Sequence, residues 1–110
     1  MTQEEIESGK GTAVISYLTI IGFVIAYFMN NDKKNEFASF HIRQSLGLWL
    51  TFFAIGLVVS NLDSWLASIG FYLFFGVLFL YAFMTALTGR TSETPILGKF
   101  YQRFFSSIGK

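Results

Sequence analysis

The sequence has no cysteine, one proline and one histidine in 110 residues, and Asp, Glu, Lys and Arg together supply only 14% of it. Without cysteine the chain has no disulfide, no thiolate metal ligand and no cysteine nucleophile. A single histidine cannot complete an ordinary metal coordination set within one chain, so no metal and no cofactor are expected. The scarce charge is also confined in place: residues 11–31, 44–62 and 64–89 contain no Asp, Glu, Lys, Arg or His at all.

What fills these stretches is apolar. Hydrophobic residues make up 53% of the chain and 14 residues are Phe. The helices of a soluble domain carry charge along one face because each needs a wet side. Here the uncharged stretches run 21, 19 and 26 residues, and a helix needs about 20 to cross a bilayer core of roughly 30 Å. The sequence predicts an all-α membrane protein, one domain over 1–110. Its three transmembrane helices are expected at 12–29, 44–62 and 64–88, with a C-terminal amphipathic interfacial helix at 95–108.

Local signals place the ends of these elements. Met1 to Lys10 carries Glu4, Glu5 and Glu7, whereas a signal peptide would open with a basic region, so the first span is expected to be retained. Asn30, Asn31 and Asp32 are turn formers that end it. Asn35 is a candidate N-cap for the second helix, whose first turns, 36–43, hold charge and belong at the interface. Residues 61–64 form a tight connection. Gly76 has no companion turn signal, so 64–88 is read as one helix, long enough to tilt or protrude. Trp65 and Tyr27 are expected as interfacial anchors.

The last element is amphipathic. Thr94 can cap it, Pro95 suits its first position and Gly109 its end. Ile96, Leu97, Phe100, Tyr101, Phe104, Phe105 and Ile108 form one stripe, with Lys99, Gln102, Arg103, Ser106 and Ser107 opposite. Too short to span, it is expected to lie in the headgroup region; the alternative is packing against the end of the bundle.

Cationic loops stay on the cytoplasmic side. With three spans, Lys10 alone lies on one side, against Lys33, Lys34, Arg43, Arg90, Lys99, Arg103 and Lys110 on the other. The expected location is a bacterial inner membrane, multi-pass, with the N-terminus outside and the C-terminus cytoplasmic. Lys33, Lys34, Arg43, Lys99 and Arg103 are expected to face lipid headgroups.

The polar cluster at the mouth of the second span is the main candidate site. A polar group there must stay at the interface or find partners. His41 and Gln44 share one helix side, which continues through Gly47, Thr51 and Ala54. Ser16, Thr19, Gly22 and Ala26 give the first span a matching face. Small and hydrogen-bonding residues allow close helix contact in lipid, so these faces are expected to pair, with His41 and Gln44 fixing register. The alternative is a ligand, proton or partner site at His41, whose charge can switch near neutral pH.

The run Ala38-Ser39-Phe40-His41-Ile42-Arg43-Gln44-Ser45 resembles a signature of small bacterial membrane proteins. In one-letter order it reads phenylalanine, x, x, phenylalanine, histidine, x, x, glutamine, alanine. These proteins are related to the chloroplast import subunit Tic-twenty and to an overlapping family of unknown function. Ile15-Ser16-Tyr17-Leu18 and Thr94-Pro95-Ile96-Leu97-Gly98-Lys99 are similar to the family's first span and C-terminal end. The resemblance implies a helical membrane protein and, for the plant member, protein import. Ser45 replaces the family's usual Ala, and three spans would depart from the plant-type arrangement of four spans with both ends on one side.

Catalytic constellations and phosphate-binding glycine loops are missing, and nothing charged lies in the spans. The expected function is therefore a non-enzymatic integral membrane protein, an assembly or import-related component. The alternative is an oligomeric small channel or transporter component whose polar path uses Ser16, Thr19, Gln44, Thr51 and Thr85. Expected partners are the lipid bilayer and a second copy or another membrane protein, with no nucleic acid.

Overall fold

A computed structural model describes residues 1–108 as five helices: α1 (Gln3–Leu18), α2 (Ile20–Lys33), α3 (Glu36–Ser60), α4 (Trp65–Leu87) and α5 (Gly98–Phe104). The caps explain most of the boundaries. Asn35 accepts from Ala38 N–H at 3.0 Å and starts α3, and Ser64 accepts from Ala67 N–H at 3.3 Å and starts α4. Each side-chain oxygen satisfies one of the donors that a helix start leaves unpaired. Gly76 lies inside α4 without interrupting it.

The first apolar run differs from its expected form. Residues 12–29 do not make one span, because the chain breaks at Thr19, in extended conformation (φ −156°, ψ 173°). Thr19 Oγ1 accepts from Gly22 N–H at 2.9 Å and so caps α2. Gly22 then passes against α1 so closely that a Cβ would stand 2.3 Å from the Ile15 carbonyl oxygen. At the far end Asn35, just past α2, donates to Glu5 O at 2.9 Å. α1 and α2 are therefore an antiparallel hairpin. Of the two, α1 has 16 residues and α2 has 14, both short of the roughly 20 that a crossing needs.

Two helices among the described residues, α3 and α4, are long and apolar enough to cross a membrane. They run antiparallel, zipped by aromatic pairs: Phe52 with Phe75 at 4.7 Å between ring centroids, and Trp49 with Phe79 at 5.7 Å. The α1–α2 hairpin packs along only part of this pair. Tyr17 meets Phe79 and Phe83 of α4 edge-on, and Ala26 of α2 packs with Ala38 and Ile42 of α3. Beyond the hairpin's tip α3 and α4 continue alone, with Leu57, Val58, Leu62, Trp65, Leu66 and Leu73 exposed. The molecule is 48 Å long and 22 Å across.

The hairpin changes where the chain ends lie. Gly89, after α4, approaches Ile6 and Lys10 of α1, and His41 contacts Arg90. The start of α1, the α2–α3 junction and the segment after α4 thus share one end of the molecule. Lys10 joins the other cations there, and the connection at 61–64 has none. The expectation of ends on opposite sides rested on an unbroken first span, which the turn at Thr19 removes.

The C-terminal element is also shorter than expected. Only Gly98–Phe104 is α-helical, and 95–97 form a turn before it. Thr94 does not cap it, because its hydroxyl is engaged by Gln44. Gly109, expected as the helix end, and Lys110 lie outside the described residues.

Candidate functional site

The polar side chains of this chain converge where α1, α2, α3 and the segment after α4 meet. His41 stands at the centre and is fully buried. Its Nε2 lies 2.7 Å from the Arg90 carbonyl oxygen, and its Nδ1 lies 2.7 Å from the Tyr17 hydroxyl. A carbonyl only accepts, so Nε2 carries the ring proton and donates it, while Nδ1 accepts from the Tyr17 hydroxyl. Phe37 and Phe40 close on the imidazole edge-on, with centroids 4.8 and 5.1 Å away. The ring thus links α1, α3 and the chain after α4 in its neutral form, with both nitrogens used and no face open to a ligand.

Gln44, one turn further on, is buried as well and faces a different partner from the expected one. Its Oε1 accepts from Thr94 N–H at 3.0 Å and from the Thr94 hydroxyl, and its Nε2 donates to Gly98 O at 2.9 Å. Gly47 lies under the Tyr101 ring, and Thr51 and Tyr101 share a hydrogen bond of 2.6 Å. Burial pushes the Tyr101 hydroxyl above its ordinary range, and the bond to Thr51 opposes that. The Gln44–Gly47–Thr51 face therefore docks the C-terminal segment, not the first span, and Ala54 beyond it is exposed.

On α1, Ser16 is buried, with its hydroxyl donating to Ala13 O at 2.6 Å. Its carbonyl, one of the four that a helix end leaves unpaired, accepts from Trp49 Nε1 at 3.3 Å. Thr19 and Gly22 form the turn of the hairpin instead of a face toward α3.

A second knot joins α1, α2 and α3. Asn30 Oδ1 accepts from Asn35 N–H at 2.9 Å, and Asn30 Nδ2 donates to Ser39 Oγ at 2.8 Å. Asn35 Nδ2 reaches Glu5 O and Ser8 Oγ. The sequence marks Asn30 and Asn35 only as turn and cap; the four-residue spacing of Asn35 and Ser39 was the available sign of a network. Tyr17, Thr94 and Tyr101 carried no such sign.

The cations divide. Lys33, Lys34, Lys99 and Arg103 are exposed. Arg43, expected at headgroups, is half-buried and donates to Ile108 O at 2.9 Å and Gln102 Oε1 at 3.3 Å, so its fork holds the C-terminal end down on α3. The expected surface helix is consequently split: Leu97, Tyr101 and Phe105 face the core cluster, while Ile96, Phe100 and Phe104 stay exposed.

Among the described residues no buried side-chain nitrogen or oxygen lacks a partner, and no three acidic or histidine side chains cluster as metal ligands do. The junction is a closed latch between elements far apart in sequence. No family model, curated protein or solved structure matches the chain.

Proposed function

We propose that this chain is a small non-enzymatic, multi-pass membrane protein that works by assembly with other membrane components. The observation that carries the reading is its inverted surface. His41, Gln44, Ser16 and Asn30 are buried, while Leu57, Trp65, Leu66, Leu73 and Val77 are more than half exposed. Polar groups turned inward and satisfied there, with apolar residues outward, is the arrangement hydrocarbon requires. In water such a contiguous apolar surface would aggregate.

In this reading α3 and α4 cross the bilayer. The α1–α2 hairpin is re-entrant: the apolar parts 11–18 and 20–29 are about 12 and 15 Å long at the helical rise, half of a core of roughly 30 Å. The cation-rich end faces the cytoplasm, and both chain ends lie there. An import or insertion complex, the process implied by the resemblance to Tic-twenty proteins, is the setting we assign to it.

The channel alternative is less well supported, because Ser16, Gln44 and Thr85 form hydrogen bonds within one chain and Thr51 pairs with Tyr101. Photo-crosslinkers at Leu57 and Leu66, in native membranes, test the proposal. Discrete protein adducts are expected; exclusive lipid adducts at both sites would contradict an assembly role. Mass determination in native-like lipid separates a lone subunit from a channel-forming oligomer.

A further inference from the structure

We infer that the cytoplasmic half of α4 holds one anionic phospholipid, its acyl chain along Val77, Leu80, Tyr81 and Met84 and its phosphate at Arg90. These residues, with Thr85 and Thr88, line a groove of about 690 Å³. Val77, Leu80, Tyr81 and Met84 recur at helical spacing on one side of α4, and each is at least 40% exposed. From Val77 to Thr88 the helix rises about 16 Å, close to half of a hydrocarbon core of roughly 30 Å. The groove therefore matches the depth of one leaflet, with its polar end at the surface.

That end is shaped by the way α4 stops. Gly89 takes a left-handed conformation (φ 75°), and Arg90 N–H turns back to donate to Thr85 O at 2.8 Å, with Gly89 N–H reaching Ala86 O. This helix stop needs a residue without a Cβ penalty at positive φ. It folds Arg90 back beside Thr85, so that an arginine caps an otherwise apolar groove. His41 holds the Arg90 carbonyl and so fixes the backbone from which the guanidinium extends. A cation at the polar end of an apolar groove of leaflet depth complements a phosphate on an acyl chain, and a guanidinium suits phosphate geometry. A partner helix would fit the apolar part equally well, but the exposed arginine at its polar end favours the lipid.

The inference rests on α3 and α4 being spans, so alkaline extraction of membranes is run in parallel. Release into the soluble fraction would overturn the membrane reading itself, whereas retention without lipid preference would overturn only the lipid site. The full chain is purified in mild detergent and offered phosphatidylglycerol or phosphatidylcholine, and retained lipids are counted by native mass spectrometry. One phosphatidylglycerol is expected to be kept in preference to phosphatidylcholine. Arg90→Gln should lower that preference about fivefold, on the order of one surface cation's contribution. Met84→Trp, which fills the groove, should remove retention of either lipid. Lys99→Gln and Arg103→Gln, away from the groove, should change nothing. Circular dichroism of Arg90→Gln should match the parent, since His41 uses the backbone carbonyl and not the side chain. Equal retention of both lipids, or an equal loss with Lys99→Gln, would reduce the signal to unspecific charge and overturn the site.

Discussion

Tyr101 lies directly over Gly47: a Cβ at position 47 would stand 2.2 Å from the ring's Cδ1 and 2.3 Å from its Cγ. These atoms are near the root of the side chain, so the ring cannot swing aside without lifting α5. Gly47→Ala should therefore undock the C-terminal segment at a cost of about 1–3 kcal/mol, the usual range for overpacking. Lys99 and Arg103 are exposed, so trypsin cleavage after them reports the docking. Faster cleavage in Gly47→Ala than in the parent is expected; equal rates would place Tyr101 elsewhere.

His41→Ala should be costly for a different reason. It leaves the buried Tyr17 hydroxyl without its partner, worth about 1–3 kcal/mol, and also removes the bond to the Arg90 carbonyl and empties the space the ring fills. Tyr17→Phe keeps the ring and leaves only His41 Nδ1 without its partner, so it should cost less, about 1 kcal/mol, the low end of that range. Unfolding in mixed micelles should show non-additivity in the double variant, since the two residues share a contact. Strict additivity would mean that the pair is not coupled.

Asn35 and Ser64 separate capping from tethering. Both cap a helix, and losing a cap costs about 1 kcal/mol. Only Asn35 also binds Glu5 O and Ser8 Oγ of α1. Asn35→Ala should lower the thermal midpoint more than Ser64→Ala; an equal effect would show that the tether contributes nothing.

The split stripe of the C-terminal segment gives a further contrast. Phe104 is 68% exposed and Tyr101 is 3% exposed. Phe104→Asp should leave trypsin resistance intact, while Tyr101→Asp should abolish it. The reverse order would restore a free surface helix in which the whole stripe meets lipid.

The long helices were readable because their determinants are local: Asn35 is a capping residue ahead of a charged first turn that leads into an uncharged run, and Ser64 is a capping residue at the start of another. The break at Thr19 was not. Neither Pro nor Gly stands at 18–20, and a Thr within Leu18-Thr19-Ile20-Ile21 looks like any lipid-tolerant position. What turns the chain there is tertiary, Gly22 passing the Ile15 carbonyl and Trp49 taking up the Ser16 carbonyl. Gln44 shows the same limit. Its need for partners was evident from its place in a span, but Thr94 and Gly98 lie 50 and 54 residues away, and no sequence period links them.

The chain's lack of cysteine makes the decisive test simple. The account requires the chain to turn back at Thr19, so that both ends lie on one side. Single cysteines at Glu4, Lys34, Asp63 and Ser106 can be probed with a membrane-impermeant maleimide, in intact cells and in inverted vesicles. Glu4→Cys, Lys34→Cys and Ser106→Cys should label only in inverted vesicles, and Asp63→Cys only in intact cells. Labelling of Glu4→Cys in intact cells, with Ser106→Cys still confined to inverted vesicles, would mean that the first segment crosses the bilayer and would contradict the re-entrant hairpin.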